Sequence, residues 1–187
     1  MGNEVHLLEA GPPAGRAILL LHGMKFQAQT WRDLGTIAFL AGKGYRCLAL
    51  DLPGFGQSPA CEVEPSEVLA ECVGGLGLGR PVVVGPSMGG RVALDFALSH
   101  PELVGGLVLI GAVGVEERRA RLASIDVPCL AVWGSEDAIA PLDHAEILVS
   151  AMPRCRKAIL QGASHPCYLD QPDLWHRTVE DFLAEFF

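Results

Sequence analysis

The run Gly85-Pro86-Ser87-Met88-Gly89-Gly90 stands directly after Pro81-Val82-Val83-Val84 and directly before Arg91-Val92-Ala93-Leu94-Asp95-Phe96-Ala97. The first flank is short, apolar and β-branched, the pattern of a strand buried on both faces, and the second carries apolar residues at helical spacing. A serine between them must occupy a tight turn from strand into helix. Only small residues two positions to either side allow so close an approach, hence the spacing Gly85-x-Ser87-x-Gly89. Such a turn lifts the serine hydroxyl at the carboxyl edge of the sheet. It also sets the Met88 amide at a helix N-terminus, where unpaired N–H groups and the helix dipole favour a negative oxygen. The spacing alone is a weak signal of chemistry, so its weight depends on what the other strands deliver to the same edge.

They deliver a good deal. Residues 3–9 read as an edge strand, closed by Gly11-Pro12-Pro13-Ala14-Gly15. Ala17 to Leu21 reads as a buried strand ending in His22-Gly23-Met24, and a glycine there lets the Met24 amide turn toward the same oxygen as the Met88 amide. His22 is expected to order this loop through hydrogen bonds, and Lys25 is expected to be a solvated loop lysine that could otherwise meet a substrate anion. The spacing predicts one helix over 30–44 capped by Thr30, a strand over 45–50, and a structured turn from Asp51 to Pro59. Asp51 is a rival catalytic acid, read as mainly structural. A helix over 65–76 leads into the strand before Ser87, and the helix after it ends near Ser99. A strand is expected over 103–110 and another over 129–133, separated by a short helix in the run EERRARLAS. This connection is several times too short for a separate cap, so the site is expected to be open. The strand over 129–133 exits through Asp137, the last strand over 156–160 exits through His165, and a helix over 171–187 docks through Trp175, Val179, Phe182, Leu183 and Phe186. Strand and helix alternate throughout, which predicts an α/β fold with a mostly parallel sheet, helices on both faces, and one domain over 1–187.

The remaining chemistry is mostly excluded by composition. Six cysteines, Cys47, Cys61, Cys72, Cys129, Cys155 and Cys167, show no metal-ligand spacing and read as reduced, mostly buried thiols, so neither metal nor organic cofactor is expected. A net charge of −8 with no basic run longer than Arg118-Arg119 argues against nucleic acid and against an anionic membrane surface. No apolar run reaches the roughly 18 residues of a membrane span. The N-terminus has an early Glu4 and no basic segment before an apolar core, and position 6 is His rather than Ser or Thr, so neither a secretory signal nor myristoylation is expected. A cytoplasmic protein is the expectation. His6, His100, His144 and His176 fall away from the rim.

Ser87, Asp137 and His165 thus occur in the order nucleophile, acid, base, each just beyond the carboxyl end of a separate strand. An unaided serine is a poor nucleophile; an imidazole accepts its proton near neutral pH, and a carboxylate fixes the tautomer and stabilises the imidazolium. This order and placement resemble those of the α/β-hydrolase fold in its minimal, capless form. Serine rather than aspartate at position 87 disfavours the dehalogenases and epoxide hydrolases of that fold. Two runs, LLHGMKFQAQTWRDLGTIAFLAGKGYRCLALDLPGFGQS and GASHPCYLDQPDLWHRTVEDFL, resemble the alpha/beta hydrolase domain-containing protein 14 group more closely, HPCYLD being the more specific. The turn GPSMGG departs from that group and is nearer to ordinary esterases. The resemblance implies Ser87, Asp137 and His165 as nucleophile, acid and base and the Met24 and Met88 amides as the oxyanion hole. It also implies activity on activated acyl esters, and for the B member a lysine deacetylase activity and a transcription-factor partner. The expected function is a serine esterase acting on small or short-chain acyl esters through an acyl-enzyme, with a small-molecule substrate. The alternatives are a protein-lysine deacylase and an interaction protein on the same scaffold; acyl transfer or carbon–carbon bond chemistry would use the same residues.

Overall fold

Successive strand residues point to opposite faces, so strands that are apolar at nearly every position must be covered on both sides. The computed structural model, which describes residues 4–187, shows that arrangement. Strands β1 (Leu7–Ala10), β2 (Ala17–Leu20), β3 (Arg46–Leu50), β4 (Val82–Pro86), β5 (Gly106–Ile110), β6 (Cys129–Gly134) and β7 (Cys155–Leu160) form one sheet. Their order is β1-β3-β2-β4-β5-β6-β7, with β1 antiparallel to β3 and every other pairing parallel. Residue 3 of the anticipated edge strand lies outside the described residues.

The two faces separate by residue parity. Ile18, Leu20, Val82, Val84, Val108 and Val132 face a layer made by α1 (Ala28–Asp33), α2 (Thr36–Gly42), α6 (Cys167–Asp170) and α7 (Pro172–Phe186). Leu19, Leu48, Val83, Leu107, Leu109 and Ala131 face α3 (Pro65–Gly75), α4 (Met88–Ser99) and α5 (Asp143–Ala151). Each buried Leu, Val or Ile contributes roughly 1.5–3 kcal/mol, so the two faces hold most of the fold together. Trp31 anchors the first layer, its indole N–H donating to the Leu21 carbonyl at 2.7 Å directly below the His22 turn. The connection from β5 to β6 contains only a 3₁₀ helix at Glu116–Ser124, and no cap domain is evident.

Four local expectations are corrected. The single helix over 30–44 is two helices, because the chain turns through Gly35 in a left-handed conformation (φ 82°) before α2 begins. Thr30 is not the cap; Gln27 is, and its amide donates to Thr30 Oγ1 at 3.4 Å. The strand anticipated from residue 103 begins at Gly106, since Pro101–Leu103 closes a 3₁₀ turn that delays it. The EERRARLAS helix is 3₁₀ over its length, with Leu122 its one buried side chain. Arg118 pins it by donating to both Asp95 oxygens at 2.6 and 2.7 Å and to the Gly114 carbonyl at 2.8 Å.

The turn between β4 and α4 tolerates no side chain at Gly85. A methyl group there would stand 2.3 Å from the Gly89 carbonyl oxygen and 2.7 Å from the Gly90 nitrogen, both backbone atoms that cannot swing aside. Gly85→Ala is therefore expected to cost about 3 kcal/mol, at the upper end of overpacking changes. Chemical denaturation followed by circular dichroism measures this directly.

Candidate active site

Ser87 sits between β4 and α4 with φ 51° and ψ −113°, and it is the one non-glycine residue of positive φ among the described residues. A side chain held there is strained by about 1–3 kcal/mol and persists only where the surroundings over-determine it. Here they do. The Ser87 amide donates to the Ile110 carbonyl at 2.8 Å, while the Ser87 carbonyl accepts from the amides of Gly90 and Arg91 at 3.0 and 3.2 Å. The serine is thereby locked between two strands and a helix start.

Asp137 and His165 meet across the ends of β6 and β7. His165 Nδ1 and Asp137 Oδ2 are 2.8 Å apart, with the aspartate side chain fully buried and the imidazole 18% exposed. The other carboxylate oxygen, Asp137 Oδ1, accepts from the amides of Ile139 and Ala140, each at 2.8 Å. Both oxygens are thus committed, and the carboxylate cannot rotate away from the imidazole. The His165 loop is held from the other side by Asp170 Oδ2, which accepts from the Ser164 amide at 2.7 Å and the Ser164 hydroxyl at 2.6 Å.

Ser87 and His165 line one cavity of about 430 Å³ together with Met24, Met88, Val113 and Ile139. They also line a small crevice with Tyr168, whose ring lies 5.0 Å from that of Trp31. Among the described residues no hydrogen bond joins Ser87 to His165, a common state of unliganded sites whose bonds tighten around substrate. Met24 is 68% exposed at the cavity wall, and the Met88 amide opens α4. Four of the five residues singled out from sequence, Met24, Ser87, Met88 and His165, therefore border a single opening, and Asp137 lies buried behind His165. An arrangement of this kind can carry a proton from the serine hydroxyl through the imidazole, with the buried carboxylate steadying the charge that forms.

Other sequence candidates have structural employment. His22 Nδ1 donates to the Gly23 carbonyl at 2.8 Å and His22 Nε2 accepts from the Leu52 amide at 3.0 Å, which orders the loop beside Ser87 as expected. Asp51 does not reach His165; its oxygens accept from the Ala28 amide at 2.7 Å, the Gln57 amide at 2.9 Å and His6 Nδ1 at 2.8 Å. The cysteines are free thiols, and burial pushes Cys47 and Cys167 up to about 12, far from reactivity. No group of three or more candidate metal ligands occurs among the described residues, and no helix among them is long and apolar enough to cross a membrane. A larger cleft of about 710 Å³ opens at the opposite end of the strands, lined by Arg16, Arg80 and Arg154 and remote from the serine.

Gly111 escaped sequence reasoning. It lies just past β5 with φ 50°, and a methyl group there would stand 3.0 Å from Asp137 Oδ2 and 3.1 Å from His165 Nδ1. Its bareness lets the acid–base pair pack against the β5 exit. The readable signal was a glycine immediately after an apolar strand, at a strand end that carries none of Ser87, Asp137 and His165.

The buried polar groups make acid stability predictable. Burial lowers His22 from its ordinary value, and the bond to Gly23 and the nearby Asp51 only partly offset it. The unfolded chain therefore takes up a proton that the folded chain refuses, so this contribution is intact above about pH 6.5 and is lost as pH falls below it. Burial pushes Asp51 up, but the Gln57, Ala28 and His6 hydrogen bonds outweigh it and hold the carboxyl below its usual range. Its contribution is present above about pH 3.9 and disappears as pH falls through the folded value. Thermal midpoints recorded from pH 7.5 to 5 should fall, and His22→Gln should flatten the slope near pH 6.

A sequence model described as the alpha/beta hydrolase fold matches residues 16–123. ABHD14B of Homo sapiens, whose name gives it provisionally as a protein-lysine deacylase, is 38% identical over 193 residues, covering 97% of this chain and 91% of that protein. ABHD14A of Danio rerio is 37% identical over 185 residues, covering 92% of this chain and 68% of that one. The crystal structure of a predicted CIB-like hydrolase from Thermoplasma acidophilum superposes with a TM-score of 0.89 at 26% identity, covering 97% of this chain and 99% of that one.

Proposed function

The chain belongs to the alpha/beta hydrolase fold family, and from that premise we propose that it is a serine hydrolase cleaving short acyl groups from carboxylic esters. The observation that carries the reading is the 2.8 Å Asp137–His165 pair opening into the same cavity as a serine strained at φ 51°. In this reading Ser87 Oγ attacks the acyl carbonyl while His165 Nε2 takes its proton. The Oγ–carbon bond forms, and the tetrahedral oxyanion is received by the amides of Met24 and Met88. Collapse breaks the bond to the leaving group, which departs with the proton from His165. Water, deprotonated by the same imidazole, then releases the carboxylic acid and restores the serine. Asp137 keeps Nδ1 protonated and leaves Nε2 free throughout.

The connection between β5 and β6 is too short to roof the site, which favours small acyl groups or groups presented on an exposed chain. The second reading follows from that openness and from the name of ABHD14B: removal of acyl groups from lysine side chains by the same residues. A protein partner would then be the acylated substrate itself.

The test is turnover of a p-nitrophenyl ester series from acetate to decanoate beside an Nε-acetyl-lysine peptide. Ester cleavage that declines with chain length supports the first reading. Peptide cleavage without ester cleavage favours the second, and neither, at concentrations far above background hydrolysis, overturns both.

A further inference from the structure

The cavity over Ser87 is apolar almost throughout. Met24 and Ile139 form its outer walls, 68% and 67% exposed, and Val113, Met88 and Phe26 line it further in. Large apolar side chains left that exposed beside a nucleophile are most simply explained by a ligand that covers them. At about 430 Å³ the cavity falls within the range of small-molecule sites, which are mainly apolar with a few polar groups that fix orientation.

One lining residue is charged: Lys25, next to Met24 on the loop after β2. Among the described residues its ammonium makes no ion pair with Asp or Glu, in a chain with 22 acidic and 14 basic side chains. Lys43 and Lys157, by contrast, are paired with Glu180 and Glu146. An unpaired cation at the rim of an otherwise apolar cleft can serve to recognise an anion that arrives with the substrate.

The geometry points to acyl groups that carry a distal carboxylate, such as succinyl and glutaryl, as the preferred substrates, with Lys25 as the specificity-determining residue. The inference rests on the proposed hydrolase reading and deepens it. The acyl carbonyl is held at Ser87, the methylene chain lies against Met24 and Ile139, and the terminal carboxylate meets the Lys25 ammonium. The bond cleaved and the path of the proton are those given above; the carboxylate only binds. Because the pair is solvent-exposed on one side, its expected effect is moderate, about three- to fivefold in kcat/KM, and it weakens as salt rises.

The experiment compares monobenzyl glutarate with benzyl pentanoate, reading benzyl alcohol release by chromatography, for the wild-type chain, Lys25→Met and Lys25→Glu. The expected result is a preference of about three- to fivefold for the glutarate, reduced to about one in Lys25→Met and inverted in Lys25→Glu. Equal kcat/KM for the two esters in the wild-type chain, or a preference that survives Lys25→Met, overturns the inference while leaving the hydrolase reading intact. A second arm places aspartate or asparagine beside the acyl-lysine of an acetylated peptide. A Lys25-dependent preference there, without one among the esters, would assign the carboxylate to the leaving group and overturn the acyl assignment. Absence of turnover on every substrate removes the hydrolase reading, and this inference with it.

Discussion

Ser87→Ala is expected to lower ester turnover by on the order of 10⁵-fold, to the residual rate that positioning and the oxyanion donors alone provide. The variant keeps the Cβ atom and so keeps the backbone at φ 51°, the hydrogen bond from its N–H to the Ile110 carbonyl and the α4 start. Loss of the hydroxyl therefore removes the proposed nucleophile and nothing else. Its thermal midpoint should match that of the wild-type chain. Ser87→Gly separates chemistry from strain: turnover is lost equally, but relief of about 1–3 kcal/mol of backbone strain outweighs the roughly 0.5–1 kcal/mol that glycine costs through the unfolded chain. Turnover of p-nitrophenyl acetate beside a thermal melt for all three proteins gives both quantities. Retained turnover in Ser87→Ala would eliminate this serine as the nucleophile.

Asp137→Asn is expected to cost about 10⁴-fold in kcat with little change in fold. The size follows from where the two carboxylate oxygens are committed. Oδ1 accepts from the amides of Ile139 and Ala140, so an asparagine must turn its carbonyl oxygen to those donors. Its NH₂ group is then forced toward His165 Nδ1, where the carboxylate accepted a hydrogen bond at 2.8 Å. The imidazole responds by carrying its hydrogen on Nε2, the tautomer that cannot receive a proton from Ser87. Measured kcat should fall while KM moves little, because the changed bond lies behind the imidazole, away from substrate. A loss smaller than tenfold would show that Asp137 does not set the tautomer.

Much of this was readable in the chain. The strand–serine–helix unit at 81–97, the exits that carry Asp137 and His165, and the two-faced burial of the strands follow from short-range patterns. His22 as a loop-ordering residue and Asp51 as a structural one were likewise inferable from their turns. Where local reading failed, the cause was also local. Gly35 breaks a periodicity that otherwise runs from α1 into α2, and Pro101–Leu103 uses up residues whose apolarity suggested strand. Both errors concern boundaries, where a single backbone dihedral decides the outcome.

The sequence by itself determined that an α/β sheet buried on both faces would form, and which three side chains would leave its carboxyl edge. These are consequences of period and turn chemistry within a few residues. Tertiary structure alone decided that β4, β5 and β6 lie adjacent, and so that Gly111 passes beneath the Asp137–His165 pair. It alone brought Met24, Lys25 and Ile139 to the rim of one cavity. Met24 and Lys25 are more than a hundred residues from Ile139 and His165 in the chain. Contacts of that range carry no local signature, because they depend on how the strands order themselves when both faces of the sheet are buried at once.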